Sequence, residues 1–209
     1  MHILLSILMS HSILQDSIPP TLARFAKNKQ IPKVIEKNVL EALSYFPELQ
    51  ETHIKFTFKK RIKKSIMQAQ PLLGSLIGKK EKRIYKINIS ALFQLTNTAI
   101  PIHQLPDSIM IGWIGHELGH IMDYEQRSTI NLIGFGISYV LSNKFVRKAE
   151  NTADTYAVNN GVGHYIIETK RFILDHADIP QTYKDRIARL YLSPDDIVEQ
   201  VRELESENL

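Results

Sequence analysis

Apolar positions along the chain change period several times, and each change marks an element. From Pro32 to about Tyr45, residues Val34, Ile35, Val39, Leu40, Ala42 and Leu43 recur at the spacing of a helix face. Pro32 suits a first turn and Pro47 closes the segment. Ile54, Phe56 and Phe58 then alternate with Lys55, Thr57 and Lys59, the period of a half-buried strand. A second extended run follows around Ser65 to Gln70. A third, Arg83 to Ile89, puts Tyr85, Ile87 and Ile89 on one face. Pro71 to Arg83, with Gly74, Gly78 and a charge cluster, reads as a loop. Three strands in sequence predict a small, mainly antiparallel sheet.

The remainder reads as helical. Pro106-Asp107-Ser108 opens a helix carrying Ile109, Trp113, Ile114, Leu118, Ile121 and Met122. The apolar run Ile130 to Leu141 is too short for a membrane span and is expected to be a buried core helix in preference to one dipping into a surface. Asn143 to Asn160 forms another helix, stopped by Asn159-Asn160-Gly161. A helix over Gly163 to His176 follows, and Ser193-Pro194-Asp195 opens a polar last one. The expected class is α+β. At the start, Met1 to Ser10 is a short apolar run like the core of an export signal, although no Lys or Arg precedes it; a core helix fits equally. Residues 1–20 are therefore set apart from one domain over 21–209. Export would place the protein in the cell envelope or outside, and otherwise it is cytoplasmic.

Composition narrows the chemistry. With 209 residues and 44% hydrophobic content, the chain can bury one core. Its net charge of +4 is concentrated in Lys59-Lys60-Arg61-Ile62-Lys63-Lys64 and Lys79-Lys80-Glu81-Lys82-Arg83. Without interleaved aromatics these runs read as solvated edges, not as a nucleic-acid platform, and peripheral membrane contact stays open. The absence of cysteine excludes disulfides, thiolate metal sites and thiol nucleophiles. Any transition-metal site must use histidine and carboxylate.

His116-Glu117-Leu118-Gly119-His120 meets that requirement. On a helix the two imidazoles project from one face a turn apart, so both ring nitrogens can reach one ion. Zinc suits such a pair, since it accepts nitrogen and oxygen ligands without imposing geometry through its d-shell. Glu117 lies about a hundred degrees round the helix, flanking the ion, where it can take a proton from water and return it to a departing amine. Gly112, Gly115 and Gly119 are costly in a helix interior unless something approaches closely there. Thirty residues beyond His120, Glu150 and Asp154 share a face of the next helix beside the small residues Ala149, Ala153 and Ala157. Glu150 is the natural third ligand, and Asp154 can hold the second ring N–H of a ligand histidine.

The pair His116-Glu117-Leu118-Gly119-His120 and Glu150-Asn151-Thr152-Ala153-Asp154 resembles the HExxH and ExxAD motifs of gluzincin metallopeptidases. The likeness is to the family of the CAAX prenyl proteases and membrane heat-shock proteases, and to minimal soluble gluzincin domains, over roughly residues 32 to 190. It implies a zincin-like fold, with a sheet of about three strands packed on the HExxH helix. It also implies one Zn²⁺ on His116, His120 and Glu150, with Glu117 as base and Asp154 behind the ligands. The strand with Arg83, Tyr85 and Ile87 would be the edge that pairs with an extended peptide substrate. His176 and Arg186 would be candidates for stabilising the oxyanion, a role for which the residues themselves also offer His164, Tyr156 and Tyr165. Two other functions compete with metal-dependent peptide hydrolysis. One is a zinc-binding scaffold or regulator without catalysis, and the other a metal-free envelope or nucleic-acid module built on the basic runs.

Overall fold

The strands assemble in an order that differs from their order in the chain. The computed structural model describes residues 18–62 and 65–207, so the apolar segment at 1–17 and the lysines at 63 and 64 lie outside the described residues. Strands β1 (Lys29–Gln30), β2 (His53–Lys59), β3 (Met67–Pro71) and β4 (Ile84–Ser90) form one sheet in the order β1-β2-β4-β3. The β1/β2 and β2/β4 pairs are parallel, with Phe56 opposite Ile87 in the second. Within this sheet only the β3/β4 pair is antiparallel. A hairpin of β5 (Leu92–Gln94) and β6 (Ala99–Pro101) stands apart.

The expectation of a mainly antiparallel sheet is thus corrected to a mixed one, and the reason lies in β4. This strand buries Tyr85, Ile87 and Ile89, and also Asn88 and Ser90 from its other face. A strand covered on both sides belongs in the sheet interior. β3 alternates buried Met67 and Ala69 with exposed Gln68 and Gln70 and ends on Pro71, which has no N–H to donate; it fits an edge. The strand with Arg83, Tyr85 and Ile87 is therefore not the substrate-pairing edge. Tyr85 and Ile87 are interior, and the Arg83 guanidinium is buried, donating to the Arg127 carbonyl (2.8 Å) and the Thr129 hydroxyl (3.2 Å).

The helices are α1 (Pro20–Ala23), α2 (Glu36–Ser44), α3 (Asp107–Glu125), α4 (Thr129–Leu141), α5 (Asn143–Asn159), α6 (Gly163–Asp175), α7 (Gln181–Leu190) and α8 (Pro194–Glu207). Their α3 is the axis of the molecule. Every residue from Ile109 to Tyr124 is buried, as befits a helix apolar on all sides, and α3 packs on α2, α5, α6 and strand β3. The fold is α+β, with a small sheet against a helical majority.

Glycine makes the tightest of these contacts. A Cβ at Gly119 would run into the Ala153 carbonyl of α5, and one at Gly112 into the Tyr165 carbonyl and Thr169 hydroxyl of α6. The helices touch backbone to backbone at both points.

Helix α4 departs from expectation. It was expected in the core, yet only Leu132 and Phe135 are buried, while Ile130, Val140 and Leu141 are 81%, 82% and 79% exposed. The periodicity is right and the covering layer is missing. Among the described residues no helix is long and apolar enough to cross a membrane.

Gly119→Ala should force α5 off α3, since backbone cannot yield as a flexible side chain does. A loss of about 1–3 kcal/mol in denaturant unfolding is expected. Wild-type stability in that variant would contradict the close contact.

Candidate metal centre

One face of α3 presents His116 and His120 a turn apart, their rings edge to face with centroids 4.9 Å apart. Across it α5 presents Glu150 and Asp154, also a turn apart, and the close approach at Gly119 brings the two faces together. Glu150 Oε2 lies 3.0 Å from His116 Nε2 and 3.2 Å from His120 Nε2. Behind them, His116 Nδ1 is 2.8 Å from one Asp154 oxygen, and the other Asp154 oxygen accepts from Lys170 Nζ at 2.8 Å. All of these side chains are buried.

The donor set fits a metal ion. Ligand atoms of His116, His120 and Glu150 lie within 4.8 Å of one another. A tetrahedral ion with bonds near 2.0–2.1 Å holds neighbouring ligands about 3.3 Å apart, close to both histidine–Glu150 spacings. Two neutral imidazoles and one carboxylate leave a fourth position for water or substrate. Asp154 orients the His116 ring by accepting its Nδ1–H, so that Nε2 faces Glu150 and is the atom left to bind an ion once its proton is lost.

Electrostatics separate the carboxylates. Burial opposes the charge on Glu150, but His120 and His116 outweigh it and hold its carboxyl well below the usual range. For Asp154 burial is likewise overcome, by Lys170 and then His116. Glu117 goes the other way, because burial raises its pKa and the histidines offset only part of that rise. Glu117 is not in the donor set. Its Oε2 accepts the Ala69 N–H of β3 at 2.6 Å. In that antiparallel pairing Ala69 turns its backbone away from β4, toward α3. The Ala69 carbonyl accepts from the Tyr124 hydroxyl at 3.3 Å.

A groove of about 1120 Å³ opens onto the site. Strand β3 and the turn after it form one wall, and α4 forms another. Glu117, His120 and Glu150 lie on its lining, as do Arg186 and Tyr191. Arg186, on α7, has a buried Nε without a hydrogen-bond partner. The structure does not bring His176 to this lining: the ring packs on Phe172, and its Nδ1 accepts the Asp178 N–H. Nor does it bring His164, which lies against Tyr165, or Tyr156, which faces a separate depression on α5.

Several residues here were not singled out in the sequence. Lys170 occupies the buried stripe Ile166, Thr169, Lys170 and Ile173 of α6, and a lysine on an apolar stripe is the signal that would have found it. Tyr139 of α4 donates to Glu150 Oε1, the oxygen facing away from the histidines. Tyr191 lies between the His116 ring and the Lys170 ammonium. These positions carry no short-range motif.

Comparison of the chain with known protein families, with characterised proteins and with solved structures returns no match.

Burial alone would lower the His116 pKa, but Asp154 and Glu150 outweigh it and raise it to about 10 in the metal-free site. A metal needs the neutral ring, so ion binding near neutral pH must expel this proton. Metal affinity is expected to fall by about tenfold per unit as pH drops below that value. Calorimetry in buffers of different ionisation enthalpy should report about one proton released per ion. Identical heats in all buffers would contradict the protonated ring.

Proposed function

We propose that this protein is a zinc-dependent peptidase of gluzincin type, with His116, His120 and Glu150 holding one zinc ion and Glu117 acting as the base. The supporting observation is the position of Glu117. It shares the buried site, stays out of the donor set, and is held by the Ala69 N–H beside the groove. A purely structural zinc site gains nothing from a free carboxylate at that place.

A bound zinc ion would supply Lewis acidity, polarising a carbonyl and lowering the pKa of coordinated water to about 7. The chain's own groups supply the rest. Glu117, with its pKa raised by burial, is suited to take a proton from attacking water and hand it to the leaving amine. The bond to Ala69 keeps one carboxylate oxygen fixed, leaving the other for the proton. Arg186 contributes to the groove lining, which His176 does not, and is the candidate for the oxyanion. A groove running along β3 suits a peptide in extended conformation.

A second reading rests on Tyr139. Its bond to Glu150 ties the exposed helix α4 to a ligand, an arrangement that suits a zinc site held latent by its own segment.

Protein purified with zinc supplied should carry about one equivalent; less than a tenth would sink the proposal. Glu117→Gln should keep the metal and lose at least about a hundredfold in cleavage of an unstructured protein. Equal cleavage by wild type and variant would assign the activity to something else. His120→Ala should lose metal and activity together. A zinc-loaded wild type without cleavage, activated by Tyr139→Phe, would favour the latent reading.

A further inference from the structure

Helix α4 has no charged residue, yet it exposes Ile130, Ile133, Ile137, Val140 and Leu141. Beside it the β3–β4 connection exposes Leu72, Leu73 and Ile77. The Thr129 hydroxyl, in the first turn of α4, donates to the Leu76 carbonyl, so the two apolar segments are joined. A contiguous apolar surface of this kind requires a partner.

Charge decides which one. Directly after Ile77 come the exposed residues Lys79, Lys80 and Lys82, with Glu81 alone opposing them. At the far end of β3, Lys59, Lys60 and Arg61 are exposed beside Ile62, which lines the groove. Apolar side chains that project outward among lysines match an anionic bilayer: the aliphatic groups enter the acyl boundary while ammonium groups stay among the headgroups. A peptide lying in the groove is a poorer occupant. It would cover the groove-lining Leu72, Leu73, Ile133, Ile137, Val140 and Leu141, but Ile77 and Ile130, 89% and 81% exposed, lie outside the lining and would stay in water beside the lysines. A second copy meeting this face across a twofold axis would set each lysine cluster near its own image.

We propose that α4 and the turn from Leu72 to Lys82 form a docking face for an anionic membrane surface. The protein lies on the bilayer by this face, and because Leu72, Leu73, Ile133, Ile137, Val140 and Leu141 also wall the groove, the groove opens toward the bilayer. The proposal is independent of the metal and of catalysis.

The test is vesicle flotation of the full-length, metal-free chain. One set of vesicles contains phosphatidylcholine alone and the other includes phosphatidylglycerol. Binding to the anionic vesicles only, weakened by added salt, is expected. Ile77→Asp and Val140→Asp fall on exposed side chains and should leave the circular dichroism unchanged. Each should lower partitioning on the order of tenfold. Replacing Lys79, Lys80 and Lys82 by Glu should remove the salt-sensitive part. No binding by wild type would overturn the proposal. So would binding unchanged by both Asp substitutions, which would assign it to another segment such as residues 1–17. A dimer in solution that the same substitutions turn into monomers would show that a second copy covers this face.

Discussion

The carboxylate of Asp154 is the contact on which the rest of the site depends. It is fully buried, and a lone carboxylate there would neutralise instead of staying charged. Lys170 from α6 holds it ionised on one side, so it can grip His116 of α3 on the other. The His116 ring is thereby turned toward Glu150, and three helices share one polar chain. Removing any member leaves a buried charge unpaired, which costs more than the pair contributes. That contact also demands close packing. Gly119 against Ala153 and Gly112 against Tyr165 let α3 meet α5 and α6 at backbone distance. Electrostatics and packing are here a single constraint.

The same logic explains what the sequence reveals and what it hides. His116, Glu117 and His120, and then Glu150 and Asp154, occupy helical positions one turn apart, so their convergence needed only two helices and a way for them to meet. The glycines supplied the hint. Strand order was hidden because chain adjacency says nothing about which strand is interior; the polar residues Asn88 and Ser90 mask the double-sided burial of β4. Apolar periodicity in α4 looks alike whether a core covers it or nothing does, and only the assembled neighbours distinguish the two. Helix α7 shows few apolar positions, yet it carries Arg186 to the groove while the neighbouring His176 turns to Phe172. Such long-range placements leave no local trace.

The sheet takes part through one backbone group. β3 is the edge, and its middle residue spends both outward-facing backbone groups on α3: Ala69 N–H goes to Glu117 and Ala69 C=O to Tyr124. Tyr124 in turn stacks on the His120 ring. Strand order therefore reaches the site directly. Had β4 been the edge, as the gluzincin resemblance implied, no strand N–H would sit where β3 presents one to Glu117.

Two glutamates share this pocket, and their surroundings drive them apart. Glu150 faces two imidazoles and a tyrosine hydroxyl, so its charge is strongly favoured despite complete burial. Glu117 has one backbone N–H and the weaker pull of the same histidines, so burial prevails and its proton affinity rises. A carboxylate that stays ionised is suited to bind a cation; one with raised proton affinity is suited to exchange protons. The two side chains are chemically identical and less than 3.5 Å separates Glu150 from either histidine, while Glu117 is tied to the strand instead. The proposed ligand and the proposed base are thus distinguished by which element each carboxylate faces: Glu150 meets the imidazole face of α3, and Glu117 meets the edge of the sheet.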